Sequence, residues 1–423
     1  MHAFDPADPA FLADPYPAYA RMRASGPVHE HPLLGLPVAV SHAACSAVLR
    51  DRGLGRIWSD AQPPEVFGAF NLLHRNSLLE REGEPHTRLR RLVAAAFDRG
   101  HTARLAPWVQ RRADALVAGL AARIDDGATG DDADLVAGVA EPLPVEVIAQ
   151  LLGVPESERA PLRGWSDAIV RMYEPDPGPD GRAERSDSGT SIGTVAERAS
   201  AEFVAQLREL AADRRRPGGG GNGSGSGRGD DLIGDLIAVR DADGARISGD
   251  ELVGTAALLL MAGHEATVNV IGNGTRALLD HPGQWARLVA DPALVPSAVE
   301  ELIRFDAPLQ LFERTALRDT DVAGFPVAAG SRIGALLGAA ARDPDAFADP
   351  DRLDVGRSPN PHLGFGGGVH YCLGAPLARV EIAATLHALR RLLPDMTAAG
   401  DPWRRPRFVM RGYHRLPLGR GAR

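Results

Sequence analysis

Helical patterning dominates this sequence and predicts a mainly α protein with small β-sheets. Three observations carry that expectation. Apolar and charged residues alternate at the 3.6-residue period through much of 103–150, 161–173 and 195–214. One helical pattern runs from the capping box Ser248-Gly249-Asp250-Glu251 to a stop at His281-Pro282, about 32 residues or ~48 Å. Strand-like runs are few and short, near 28–40, 322–327 and 332–337.

Composition sets the class. A chain of 423 residues with 44% hydrophobic and 24% charged content is that of a soluble globular protein with a sizeable core. A net charge of −8 argues against general nucleic-acid binding. Two cysteines, Cys45 and Cys372, leave no disulfide framework. No basic and apolar leader opens the chain, and no window approaches ~18 uninterrupted apolar residues. A cytoplasmic protein with no membrane segment is expected, and a likeness across the chain places residues 1–423 in a single domain. Residues 217–229, Gly- and Ser-rich, read as a flexible surface-loop insertion and not as a domain linker.

In chain order, a helix near 16–25 precedes a hairpin at 28–40 and an amphipathic helix that buries Cys45. Residues 53–80 look irregular yet carry many apolar side chains, Leu79 among them; such a loop is expected to cover a pocket. A helix opens at Glu84, with His86 and Arg90 on one face, where two donors suit an anionic group. The patterns at 161–173 and 195–214 flank a polar stretch, 174–194, that reads as a mobile lid. The centre of the long helix, Leu258 to Thr267, is apolar nearly all round and should be buried. Gly263 and Glu265 inside it both need a reason, because one lowers helix stability and the other is costly to bury. Glu301 and Arg304 share a helix face.

The stretch Phe365-Gly366-Gly367-Gly368-Val369-His370-Tyr371-Cys372-Leu373-Gly374 concentrates the chemistry. Its glycines permit tight turns. Cys372 is followed by Ala375-Pro376, a helix start. A helix N-terminus and free amides favour a thiolate over a thiol, as a cysteine that binds iron requires.

The spacing F-x-x-G-x-H-x-C-x-G resembles the haem-ligand signature of the soluble bacterial cytochrome P-450 family. The likeness extends along nearly the whole chain, through A-G-x-E in the long helix, E-x-x-R at Glu301 and Arg304, and the downstream Arg357. It implies one large fold, with the long helix over a haem b and the Cys372 loop beneath it. It implies Cys372 as iron ligand; His86, Arg90, Arg314 and His370 as propionate donors; and Phe365 and Gly366 in the haem-binding loop. Glu301, Arg304 and Arg357 would form a structural lock. Leu79, Leu258, Met261, Ala262, Leu309, Gln310, Val409 and Met410 would line the substrate pocket, the last two on a strand returning at 408–412. Glu265 would deliver protons to iron-bound dioxygen, a step that O–O cleavage requires.

One departure matters. The position after the acid is Ala266, with the hydroxyl one residue later at Thr267, about 100° further round the helix. Thr267 or water replaces the alcohol, or the substrate supplies a hydroxyl, or the chemistry is not hydroxylation. The expected activity is oxygen insertion into a hydrophobic secondary metabolite, with oxidative coupling, desaturation or a non-catalytic haem role as alternatives. The chain ends about fifty residues past Cys372, so electrons are expected from a separate ferredoxin and its reductase. Arg88, Arg91 and Arg379 are candidates to meet that acidic partner. A monomer is expected, acting on a free or carrier-tethered substrate.

Overall fold

Helices make up most of the regular structure, with four small sheets among the described residues. The computed structural model describes residues 4–97, 100–174, 191–216, 231–239, 244 and 246–421. Of the expected lid at 174–194, residues 175–190 lie outside them, as does the insertion at 217–229, and 192–194 open the Ile192–Arg215 helix. The chain divides into two compact units, one of residues 1–55, 108–143 and 266–423, the other of 56–107 and 144–265.

In the first unit the hairpin Val28–His31 and Leu36–Ala39 continues through Arg332–Leu336 and Leu311–Ala316 to Leu54–Gly55, giving five strands. Val38 meets Gly334 in parallel, and Phe312 meets Ala335 antiparallel. The His42–Arg50 helix packs its apolar side into the same core, where Cys45 is fully buried. Cys45 Sγ donates to the Ala39 carbonyl at 3.2 Å, and burial pushes its thiol well up. It is a packing residue, as its helical pattern implied.

Two strand expectations change. Residues 322–327 belong to a hairpin, Thr320–Val322 with Phe325–Val327, because Ala323 and Gly324 both take positive φ and turn the chain back. Residues 408–412 form no strand. Met410 makes one isolated bridge to Leu309, while Arg411 reaches Asp306 and the carbonyls of Leu12 and Ala13. That side-chain anchoring replaces a ladder.

In the second unit the helices are Gly68–Arg75, Gly83–Phe97, Leu162–Val170, Ile192–Arg215 and Leu232–Ala238. The Gly68–Arg75 helix lies inside the stretch expected to be irregular. Its opening amides, Ala69 N and Phe70 N, donate to the Glu197 carboxylate at 2.9 Å each. A cap supplied 128 residues away satisfies orphan donors that no local residue could.

The Gly249–Asp280 helix belongs to the second unit through Glu265 and to the first from Ala266. Both arms of its capping box form: Glu251 N donates to Ser248 Oγ at 3.1 Å, and Ser248 N to Glu251 Oε2 at 2.9 Å. No helix among the described residues is long and apolar enough to cross a membrane.

Candidate functional site

The Cys372 loop is built from its glycines. Gly366 and Gly368 sit at φ 71° and 66°, in the region that favours glycine. A Cβ on Gly368 would also stand 2.6 Å from the Leu49 carbonyl oxygen, so this turn presses directly on the His42–Arg50 helix. The loop closes on itself, with Gly366 N donating to Leu363 O at 2.8 Å and Cys372 N to Phe365 O at 2.9 Å. Cys372 emerges exposed, three residues before the Ala375–Leu392 helix. The positive end of that helix favours the ionised sulfur.

Beneath the loop, Glu301 and Arg304 are completely buried and joined twice at 2.8 Å. Arg357 Nε reaches the same carboxylate at 3.0 and 3.1 Å, and Asp354 N and Asn360 Nδ2 complete its shell. Arg304 in turn donates to the carbonyls of Ala341 and Pro350. Burial lowers the Arg304 guanidinium against the pull of Glu301. The three residues read from sequence as a lock are therefore brought together.

The same unit places Arg314 on the Leu311–Ala316 strand, buried, with its guanidinium 4.5 Å over the Phe312 ring. His370 ends a short helical turn two residues before Cys372. Cys372, Arg314 and His370 supply a thiol, a guanidinium and an imidazole, donor types that suit a prosthetic group with a sulfur-seeking metal and anionic substituents. Leu309 is half-buried, and Val409 and Met410 are buried. Gln310 is buried, accepting from Tyr19 Oη at 2.9 Å and donating to Ala307 O at 2.7 Å. It fastens the N-terminal helix to this strand.

In the long helix Leu258, Ala262, Gly263 and Ala266 are the residues between 251 and 267 that keep exposure. Their spacing of four puts Leu258, Ala262 and Ala266 on one stripe. Met261, Glu265 and Thr267 are buried off it. The stripe is the part of this otherwise buried stretch that stays open. A Cβ on Gly263 would meet Ile148 Cδ1 at 3.4 Å, so a side chain approaches here too. His264 is buried with Nδ1 3.5 Å from Ser166 Oγ, a packing position.

His86 is buried and Arg90 half-buried on the Gly83–Phe97 helix, four residues apart as expected, and Leu79 is half-buried. Arg91 is exposed, but Arg88 is committed to Glu251, which also takes Arg81 at 2.9 Å. Arg379 is committed as well, to Glu300.

Two clusters escaped sequence reading. Asp306 accepts from Arg411 Nε at 2.7 Å, Arg404 at 3.1 Å and Tyr16 Oη at 2.7 Å. Burial opposes its charge, but the two guanidinium groups hold its carboxyl well below the usual range. Glu300 gathers Arg379 and His362. Each carboxylate lies 62 to 290 residues from its partners, beyond any local pattern.

Comparison with known proteins agrees with this geometry. The family model described as cytochrome P450 matches residues 54–404. The chain is 38% identical over 419 residues to cytochrome P450 monooxygenase PikC of Streptomyces venezuelae, covering 96% of this chain and 91% of that one. It is 35% identical to 6-deoxyerythronolide B hydroxylase of Saccharopolyspora erythraea, covering 97% and 96%. The crystal structure of P450BioI in complex with hexadec-9Z-enoic acid ligated acyl carrier protein matches with TM-score 0.84 at 30% identity, covering 97% of this chain and 100% of that one.

Proposed function

Because this chain belongs to the cytochrome P450 family and is a monooxygenase within it, we propose that it hydroxylates or epoxidises a hydrophobic secondary metabolite of the polyketide, terpenoid or peptide class. The observation that carries this reading is the exposed Cys372 at the head of a helix, on a loop that follows a segment held by buried Glu301 and Arg304 and half-buried Arg357. Haem b, when bound, supplies the activation of dioxygen. Cys372 is its thiolate ligand, and Phe365 and Gly366 shape the ligand loop. Arg314 and His370 donate to its propionates from the same unit. The equivalent role of His86 and Arg90 rests on the family resemblance.

Glu265 takes part in proton delivery. Ala266 lies on the open stripe while Thr267 is buried off it, which favours water or a substrate hydroxyl as the last donor. Similarity to 6-deoxyerythronolide B hydroxylase supports a secondary-metabolite substrate. A carrier-tethered form is the second reading, favoured by the P450BioI structure with its acyl carrier protein. We assign electron supply to a separate ferredoxin and reductase, and the cytoplasm as the site of action.

The test is a ligand screen by absorbance on the haem-loaded protein. A spin-state shift with a free hydroxyl-bearing metabolite supports the first reading, and product formation that falls with its deoxy analogue and is restored on that analogue by Ala266→Thr supports the substrate hydroxyl as proton donor. A shift only with acyl-carrier conjugates supports the second. Cys372→Ser is expected to abolish the thiolate-type ferrous–carbonyl band; its retention would overturn the ligand assignment.

A further inference from the structure

The helix that carries Glu301 presents its neighbouring carboxylate in another direction. Glu300 accepts from Arg379 Nε at 2.6 Å and Nη2 at 2.9 Å, a two-pronged pairing, and from His362 Nε2 at 2.9 Å. The His362 tautomer is set by its other nitrogen, because Nδ1 accepts from Gly364 N at 3.1 Å; Nε2 therefore carries the proton given to Glu300. Burial pushes the Glu300 carboxyl up, but the bonds from His362 and Arg379 outweigh it and bring it down to about 2.

The two partners stand on either side of Cys372, one ten residues before it and the other seven after it. Arg379 lies 4.4 Å over the Phe365 ring and also bonds the Tyr371 hydroxyl. Phe365 supplies the carbonyl that takes the Cys372 amide, and Tyr371 is its chain neighbour. One guanidinium thus grips both flanks of the cysteine, and one carboxylate holds that guanidinium to the entry of the loop.

We propose that Glu300, with Arg379 and His362, is a positioning cluster that keeps Cys372 in place as a metal-bound thiolate, separately from the Glu301 lock. The inference rests on the haem-thiolate reading above. Glu301 is buried and decides whether this region folds. Glu300 and Arg379 are half-exposed, so their pairing adds little to global stability while fixing the local geometry of the sulfur.

The experiment compares haem-loaded wild type with Glu300→Gln, Arg379→Met and Arg379→Lys. It follows the decay of the thiolate-type ferrous–carbonyl band, together with melting by circular dichroism. Glu300→Gln and Arg379→Met are expected to lose the band about tenfold faster than wild type, at temperatures where all four proteins remain folded. Arg379→Lys, which keeps the charge and loses the planar fork, should fall between. Unchanged decay, or decay that only tracks a lowered melting temperature, overturns the proposal. If Glu300→Gln does not accumulate, Arg379→Lys decides on the same criterion. Wild type without any thiolate band would sink the haem-thiolate reading and this proposal together; a normal wild-type band with indifferent variants sinks this proposal alone.

Discussion

The loop around Cys372 and the segment 56–81 are both poor in regular structure, yet they are held by different physics. Around Cys372 the restraints are ionic: Glu301 is wholly enclosed with Arg304 and reached by Arg357, and half-exposed Glu300 pins Arg379 and His362. In 56–81 the ion pairs of Arg56 with Glu80 and of Arg75 with Asp60 are joined by a cluster of aromatic rings. The His74 ring stacks on Trp58 at 4.4 Å and lies 4.2 Å from Phe70. Its Nδ1 lies 2.8 Å from the Phe70 carbonyl and must donate there, so Nε2 accepts the Tyr173 hydroxyl at 2.7 Å. Buried ion networks tolerate almost no displacement, because a misplaced partner leaves an uncompensated charge. Ring stacks yield more gradually, each worth about 0.5–1.5 kcal/mol beyond the area it buries. The first kind of support suits a loop that must hold one geometry; the second suits a segment that can yield.

The widest break in that contrast comes from Glu301→Gln. It strands two guanidinium groups and is expected to cost about 3–5 kcal/mol, yielding insoluble or haem-free protein; soluble holoprotein at wild-type yield would refute the assignment. A gentler test lies in the aromatic segment. His74→Phe keeps the stack and removes two hydrogen bonds, so a loss of about 1 kcal/mol is expected, with the thiolate band untouched. Chemical denaturation beside a ferrous–carbonyl spectrum checks both halves of that statement, and a lost band would erase the distinction between the regions.

The smallest effect has the opposite sign. Glu381 lies on the helix that follows Cys372, buried, with Oε2 lacking a hydrogen-bond partner, and burial holds its carboxyl well above 4.5. The folded protein keeps a proton that the unfolded chain releases, so stability declines as pH rises past 4.5. Glu381→Gln removes that penalty. It should melt higher than wild type near neutral pH, with the gain shrinking as pH falls toward 4.5; parallel pH profiles would show that Glu381 is not buried neutral.

Much of this was legible in the chain itself. Periodicity and the capping box located the long helix to within a residue, because those signals act between neighbours three or four positions apart. The spacing of glycines, His370 and Cys372 marked the ligand loop for the same reason, since turns and helix starts are local. Two strands were misjudged where a turn or a side-chain anchor outweighed propensity, at Ala323-Gly324 and at Arg411. The helix at Gly68–Arg75 stayed hidden because its cap, Glu197, comes from far along the chain.

What only the tertiary structure decided is which charges meet. Nothing local distinguishes Glu300 from Glu301, yet successive helix residues point about 100° apart, and the chain brought to each side differs. One carboxylate sank into the core with two arginines, and the other closed over the cysteine loop. Likewise, sequence placed Ala266 and Thr267 side by side, while packing alone left the first on the open stripe and buried the second. Local order follows from backbone sterics and neighbouring side chains; the partners of a buried charge depend on where the whole chain folds.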